Sequence, residues 1–126
     1  MKPKHGFPPD VLAAIAAGKI LGIRAGREPH RFIGIWVVVV ERRVFVRSWS
    51  REPRSWWRTF LEEPYGVIQA AGREIPVRAI QTRSERLKDA VTQAYREKYN
   101  TPGSLQYVRD FARPERRVTT TELVPL

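Results

Sequence analysis

No cysteine occurs in the 126 residues, so disulfides and thiolate metal sites are excluded and nothing in the chain depends on an oxidising compartment. Histidine is nearly as scarce. The two present are His5, in the opening segment, and His30; with no carboxylate cluster beside them they form no motif for a metal or for an acid–base pair, and no metal is expected. A Gly-rich nucleotide loop and a nucleophile with a partnered base are also missing. The longest apolar run, Phe32 to Val40, is about half the roughly 20 residues that a membrane-crossing helix needs. Lys2 and Lys4 are not followed by the long apolar core of a signal peptide. The expectation is a cytoplasmic protein without a membrane partner, whose function rests on binding rather than on named catalysts.

What is present is charge of one sign. The formal net charge is +10, carried by 18 arginines and only five lysines, and arginine is the planar, bidentate reader of phosphate and carboxylate. Nucleic acid, an acidic surface and a small phosphorylated ligand are the partner classes this permits. A solvated basic surface that keeps the protein soluble is the plainer reading. The length fits one domain over residues 1–126, and an apolar content of 42% is enough to fill one core.

Along the chain, Phe7-Pro8-Pro9-Asp10 opens a short helix that stops at Gly18. Lys19 to Ala25 reads as a strand. Phe32 to Val40 is apolar on both faces, the pattern of a strand buried on two sides. Glu41-Arg42-Arg43 turns the chain. In Val44 to Ser50, Val44, Val46, Ser48 and Ser50 point one way and Phe45, Arg47 and Trp49 the other. Pro53 suits the first turn of a helix running to Glu62. Val67 to Ala71 and Arg73 to Ile80 form a hairpin around Gly72, with Pro76 pointing to an edge or a bulge. Thr82-Arg83-Ser84-Glu85 fits a capping box before a helix reaching Tyr99. A helical turn near Leu105 to Phe111 and a strand from Arg117 to Val124 complete the chain. The sum is a mainly β, α+β fold: roughly six strands with antiparallel neighbours in a small β-barrel, with short helices packed at its ends.

Several residues are candidates for a site. Arg27 and Arg31 flank a turn before a buried strand, close enough to share one phosphate, with Arg24 as a third; the alternative is solvated loop arginines. Arg47, Ser48, Trp49 and Ser50 sit at a strand end leading towards a helix N-terminus. The two hydroxyls need partners, either a ligand or the backbone. Trp36 packs a core or borders a ligand. Trp56 and Trp57 are adjacent on a helix and point about 100° apart, so one of them is left for an interface, a pocket or an arginine such as Arg58. Glu62-Glu63 reads as a solvated helix end.

With Gly26-Arg27 to Trp36, Val44 to Ser50, Trp56-Trp57-Arg58 to Pro64, Ala94-Tyr95-Arg96 to Tyr99 and the terminal Leu123-Val124-Pro125, the chain resembles the bacterial family called domain of unknown function 2255 almost end to end. Its core is also similar to the deazaflavin-dependent nitroreductase branch of the split-barrel flavin-binding superfamily. Gly26, Arg27, Arg31 and Trp36 match that branch's arginine turn and first strand, Ser48 or Ser50 its second strand end, and Trp56, Trp57 and Pro64 its helix. The resemblance implies a homodimeric split barrel with a cofactor, FMN or a deazaflavin, whose phosphate lies near the arginine turn and whose ring lies near the dimer interface. Three departures weigh against cofactor transfer: a shorter arginine turn, Glu28 within it, and Ser50-Arg51-Glu52-Pro53 where the branch carries glycines.

Three functions follow as expectations. The first is a flavin- or deazaflavin-binding oxidoreductase in which Arg27, Arg31 and Arg47 hold anionic groups, Ser48 and Ser50 donate hydrogen bonds, and Trp36, Trp49, Trp56 or Trp57 border the ring. The second is a non-enzymatic basic module that binds nucleic acid or an acidic partner through the Arg42 to Arg58 surface, although no nucleic-acid motif is present. The third is a barrel that has lost its cofactor.

Overall fold

The computed structural model describes residues 6–126; His5, Lys2 and Lys4 lie outside the described residues. Seven strands are present among the described residues: β1 (Leu21–Ala25), β2 (Ile33–Ile35), β3 (Val37–Val40), β4 (Arg43–Val46), β5 (Tyr65–Ala70), β6 (Arg73–Gln81) and β7 (Thr121–Pro125). They form one antiparallel sheet in the order β2-β1-β5-β6-β7-β4-β3. The two outermost strands are consecutive in sequence and only Trp36 separates them, so the sheet curls into a nearly closed barrel.

This corrects the six-strand expectation. The apolar run Phe32 to Val40 is not one strand but two that pair on opposite margins, β2 with β1 and β3 with β4. The hydrogen-bonding groups freed at the junction are taken up by two tyrosines. Tyr95 Oη donates to the Trp36 carbonyl at 3.2 Å and accepts from the Arg47 amide at 3.1 Å, while Tyr99 Oη accepts from the Val37 amide at 3.1 Å. Buried backbone groups must be paired, and without these hydroxyls the junction would leave several orphaned.

Two cores lie on the two faces of the sheet. Leu21, Ile23, Val44, Val46, Ile68, Val77 and Leu123 fill the barrel interior, joined by Val11 and Ile15 of α1 (Pro9–Ala17) and Phe60 of α2 (Trp56–Glu62). The outer face of β3 and β4 carries Val38 and Phe45 beneath Leu87, Val91 and Tyr95 of α3 (Glu85–Lys98) and Val108 and Phe111 of α4 (Leu105–Phe111). The alternation read in Val44 to Ser50 is what separates the two cores. Each buried aliphatic side chain contributes roughly 2 kcal/mol.

Several boundaries differ from the sequence reading, each for a local reason. The helix expected from Pro53 begins at Trp56, because Ser55 is the N-cap and its side chain accepts the Arg58 amide. The capping serine of α3 is Ser84, which accepts the Leu87 amide at 3.2 Å, so the helix starts later than a Thr82 cap would place it. Pro76 is in an interior strand rather than at an edge or a bulge. It pairs with Val67 of β5, and its carbonyl accepts the Leu126 amide at 3.1 Å, just past β7. Arg117 ends a short helix, α5 (Pro114–Arg117), and the last strand begins at Thr121. The β3–β4 and β5–β6 hairpins turn through two-residue loops, Glu41-Arg42 and Ala71-Gly72, with positive φ at both positions, which is the twist that antiparallel neighbours prefer.

Candidate functional site

The structure sorts the candidate residues into two groups. Trp36 and Trp49 meet, and Arg47 is linked to them through Phe111, whose carbonyl it bonds and whose ring stacks on Trp49. Arg27, Arg31, Trp56 and Trp57 lie elsewhere, on the β1–β2 loop and on α2, which touch where the Arg27 amide donates to Glu63 Oε2 at 3.1 Å. Arg31 is five residues from Trp36 along β2, roughly 16 Å of extended chain, so the arginine turn and the meeting point of Trp36 and Trp49 are separate places.

The first group is an aromatic assembly at the β2–β3 junction. Trp36 lies flat on Tyr99, with ring centroids 4.0 Å apart and planes 8° apart. Trp49 meets Trp36 at 5.8 Å and 67°, and Tyr107 of α4 meets Trp36 at 6.1 Å and 81° and Trp49 at 5.6 Å and 69°. The three rings are thus steeply inclined to one another. They line an open cleft of about 680 Å³ together with Gln106 and Asp110. Trp49 is 40% and Tyr107 47% exposed.

Arg47 is the buried support of this assembly. It is 1% exposed, and its guanidinium donates to Thr120 Oγ1 (2.8 Å), Thr92 Oγ1 (2.7 Å), the Phe111 carbonyl (2.8 Å) and the Lys88 carbonyl (2.8 Å). All four acceptors are neutral, and burial pushes its pKa down to about 10. The Phe111 carbonyl ends α4, the negative end of that helix, which suits a cation. Arg47 therefore binds α3, α4 and the approach to β7 onto β4. Ser48 and Ser50 are also engaged internally: Ser48 Oγ donates to the Ser50 carbonyl at 2.7 Å and accepts the Ser50 amide, and Ser50 Oγ accepts the Glu52 amide. The backbone is the partner of both hydroxyls.

In the second group, Arg27 and Arg31 are exposed in the loop that Gly26 begins with φ 83°. Arg24 lies over the Phe32 ring at 4.8 Å. His30 sets its two ring nitrogens 3.2 Å and 3.1 Å from the carbonyls of Arg31 and Ala25, a loop-fastening role. Trp57 is buried and donates through Nε1 to Gln81 Oε1 at 2.8 Å, with Arg58 over its ring; Trp56 is half-buried with Phe60 at its edge. Among the described residues no group of three or more His, Asp or Glu is placed to hold a metal ion, and no helix is long and apolar enough to cross a membrane.

A family model described as an uncharacterised protein conserved in bacteria, DUF2255, matches residues 11–123. The chain belongs to this family. None of the curated proteins compared matches this DUF2255 chain. Among solved structures, it is similar to the crystal structure of the conserved hypothetical protein Rv2991 from Mycobacterium tuberculosis, with a TM-score of 0.59 at 10% identity over 99% of this chain and 83% of that one. That likeness is one of fold. In this DUF2255 chain the matched span holds the whole aromatic assembly, Trp36 to Phe111. Tyr107, Gln106 and Asp110 were absent from the sequence-derived candidates. Their signal was the pair Tyr107 and Phe111, four apart on a short helix and so on one side of it.

Proposed function

We propose that this protein binds a planar, ring-bearing cofactor of the flavin or deazaflavin type in the cleft of Trp36, Trp49 and Tyr107, and that any redox chemistry belongs to that cofactor. The observation that carries the reading is the exposure of Trp49 and Tyr107 in an open cleft of about 680 Å³. Its volume lies within the usual range of small-molecule sites, and exposed aromatic surface of this kind marks a binding site. Trp36 is fixed by Tyr99 and Trp49 by Phe111, so both rings are held in place before a ligand arrives. Arg47, Ser48 and Ser50 act here as supports rather than as contacts, and Arg27 and Arg31 serve only a ligand with a long anionic tail. The reading includes a homodimer whose second subunit roofs the open side of the cleft.

Titration with FMN and with a deazaflavin cofactor, followed by tryptophan fluorescence, tests it. Saturable quenching that Trp49→Ala or Tyr107→Ala weakens about tenfold is expected. No quenching at high micromolar cofactor, or quenching indifferent to both substitutions, overturns it. The same exposed rings, followed in the chain by exposed Arg51, Arg54 and Arg58, favour single-stranded nucleic acid as the second reading, for which binding falls steeply with salt.

A further inference from the structure

A second cavity, of about 630 Å³, opens where α1 meets the β3–β4 turn and the β6–β7 ladder. Its body is apolar: Phe7, Leu12, Ile80 and Val124 line it. Charge gathers there as well, in Glu41, Arg42, Arg43, Arg78 and Glu122. The acids are already committed. Glu122 accepts Arg43 bidentately, from Nε at 2.9 Å and Nη2 at 2.8 Å, and Glu41 accepts Arg86 Nη1 at 2.5 Å. Arg42 and Arg78 remain, both exposed and neither paired with an acid among the described residues. The lining is therefore an apolar surface with two unspent guanidinium groups.

The turn that presents Arg42 is a second, independent observation. Glu41 (φ 54°) and Arg42 (φ 64°) both occupy the left-handed region, where a two-residue hairpin turn ordinarily has Asn and Gly. Two side-chain-bearing residues held there cost backbone strain that Gly would relieve, and such strain collects at binding sites. Both residues line the cavity.

We propose that this cavity binds a small amphipathic carboxylate, with its apolar body against Phe7, Leu12, Ile80 and Val124 and its carboxylate on Arg42 and Arg78. A guanidinium meets a carboxylate through two parallel N–H donors, so two of them favour the anion over the alcohol of the same chain length. The site is separate from the aromatic cleft, and the two assignments stand or fall independently.

Calorimetric titration of the full chain with decanoate below its micelle concentration is the test, with decanol and acetate as probes lacking the charge and the apolar body. Decanoate is expected to bind at one per chain, decanol and acetate far more weakly. Arg42→Ala and Arg78→Ala should each weaken decanoate about tenfold, the loss of one charge-assisted pair, while Trp49→Ala leaves it unchanged. Circular dichroism on each variant shows that the fold is retained. Absence of decanoate binding, equal binding of decanol, or indifference to both arginine substitutions overturns the proposal. Binding seen only after deletion of residues 2–5 overturns it too, because the cavity would then be the seat of the chain's own start.

Discussion

Trp49 lies flat on Phe111, ring centroids 3.7 Å apart and planes 9° apart. Phe111 is 1% exposed and also meets Tyr95 at 4.7 Å, so the stack ties an exposed ring of the cleft to the buried core under α3. Phe111→Ala is expected to destabilise the protein by about 4 kcal/mol and to weaken the near-ultraviolet dichroism of the tryptophans. Urea denaturation with that dichroism as a probe checks both.

Arg47 predicts a different pattern of loss. Its four neutral acceptors are spread over α3 (Lys88 and Thr92), α4 (Phe111) and the segment before β7 (Thr120), and a single ammonium cannot match a planar fork. Arg47→Ala is expected to cost about 3 kcal/mol, and Arg47→Lys to recover less than half of that loss in the same denaturation experiment.

Lys98 gives a pH dependence with a definite sign. Its Nζ donates to the carbonyls of Ile15 (3.2 Å) and Val37 (2.8 Å), and burial, helped by Lys19, pushes its pKa down to about 8 from 10.5. Between those values the unfolded chain holds the extra proton, so this residue's contribution to stability rises with pH. The neutral amine keeps two N–H groups, enough for both carbonyls. Tyr99 works the other way: burial pushes its phenol up to about 12, and its contribution is lost only above pH 10. Unfolding free energy measured from pH 8 to 10 should therefore lose an upward component in Lys98→Met.

Gly66 has no room for a side chain. A methyl group there would sit 2.4 Å from the Arg24 carbonyl oxygen across the β1–β5 pair, a backbone neighbour that cannot rotate away. Gly66→Ala is expected to cost about 3 kcal/mol, seen as a lowered denaturation midpoint with an unchanged slope.

The Glu41-Arg42 turn sets stability against binding. Arg42→Gly relieves a positive φ and is expected to stabilise the fold by about 1 kcal/mol, while weakening decanoate. Gain of midpoint together with loss of calorimetric affinity is the combined signature; no gain in midpoint would mean that the turn is unstrained.

The sequence made the alternating strands, the α3 stripe of Leu87, Val91 and Tyr95, and the hairpin at Gly72 readable, because each follows from a local period or a turn residue. The division of Phe32 to Val40 was not readable: nine apolar residues look alike whether they pair on one margin or two, and the hydroxyls that make the junction possible come from Tyr95 and Tyr99, some sixty residues away. Trp36 and Trp49 were singled out and do meet. Arg47 was singled out as a ligand contact because its type suits anions, but its place on the face shared with Phe45 puts it beneath two helices. Arg42 passed as part of a turn, because strain is a property of φ and not of residue type.

The junction at Trp36 has a further consequence for how reliably the chain finds its pairing. One uninterrupted stretch supplies both margins of the sheet, so sliding it by a single residue would misplace β2 against β1 and β3 against β4 together, and would carry Trp36 away from Tyr99. Each seam thereby proofreads the other, and an error tolerable at one margin is rejected at both.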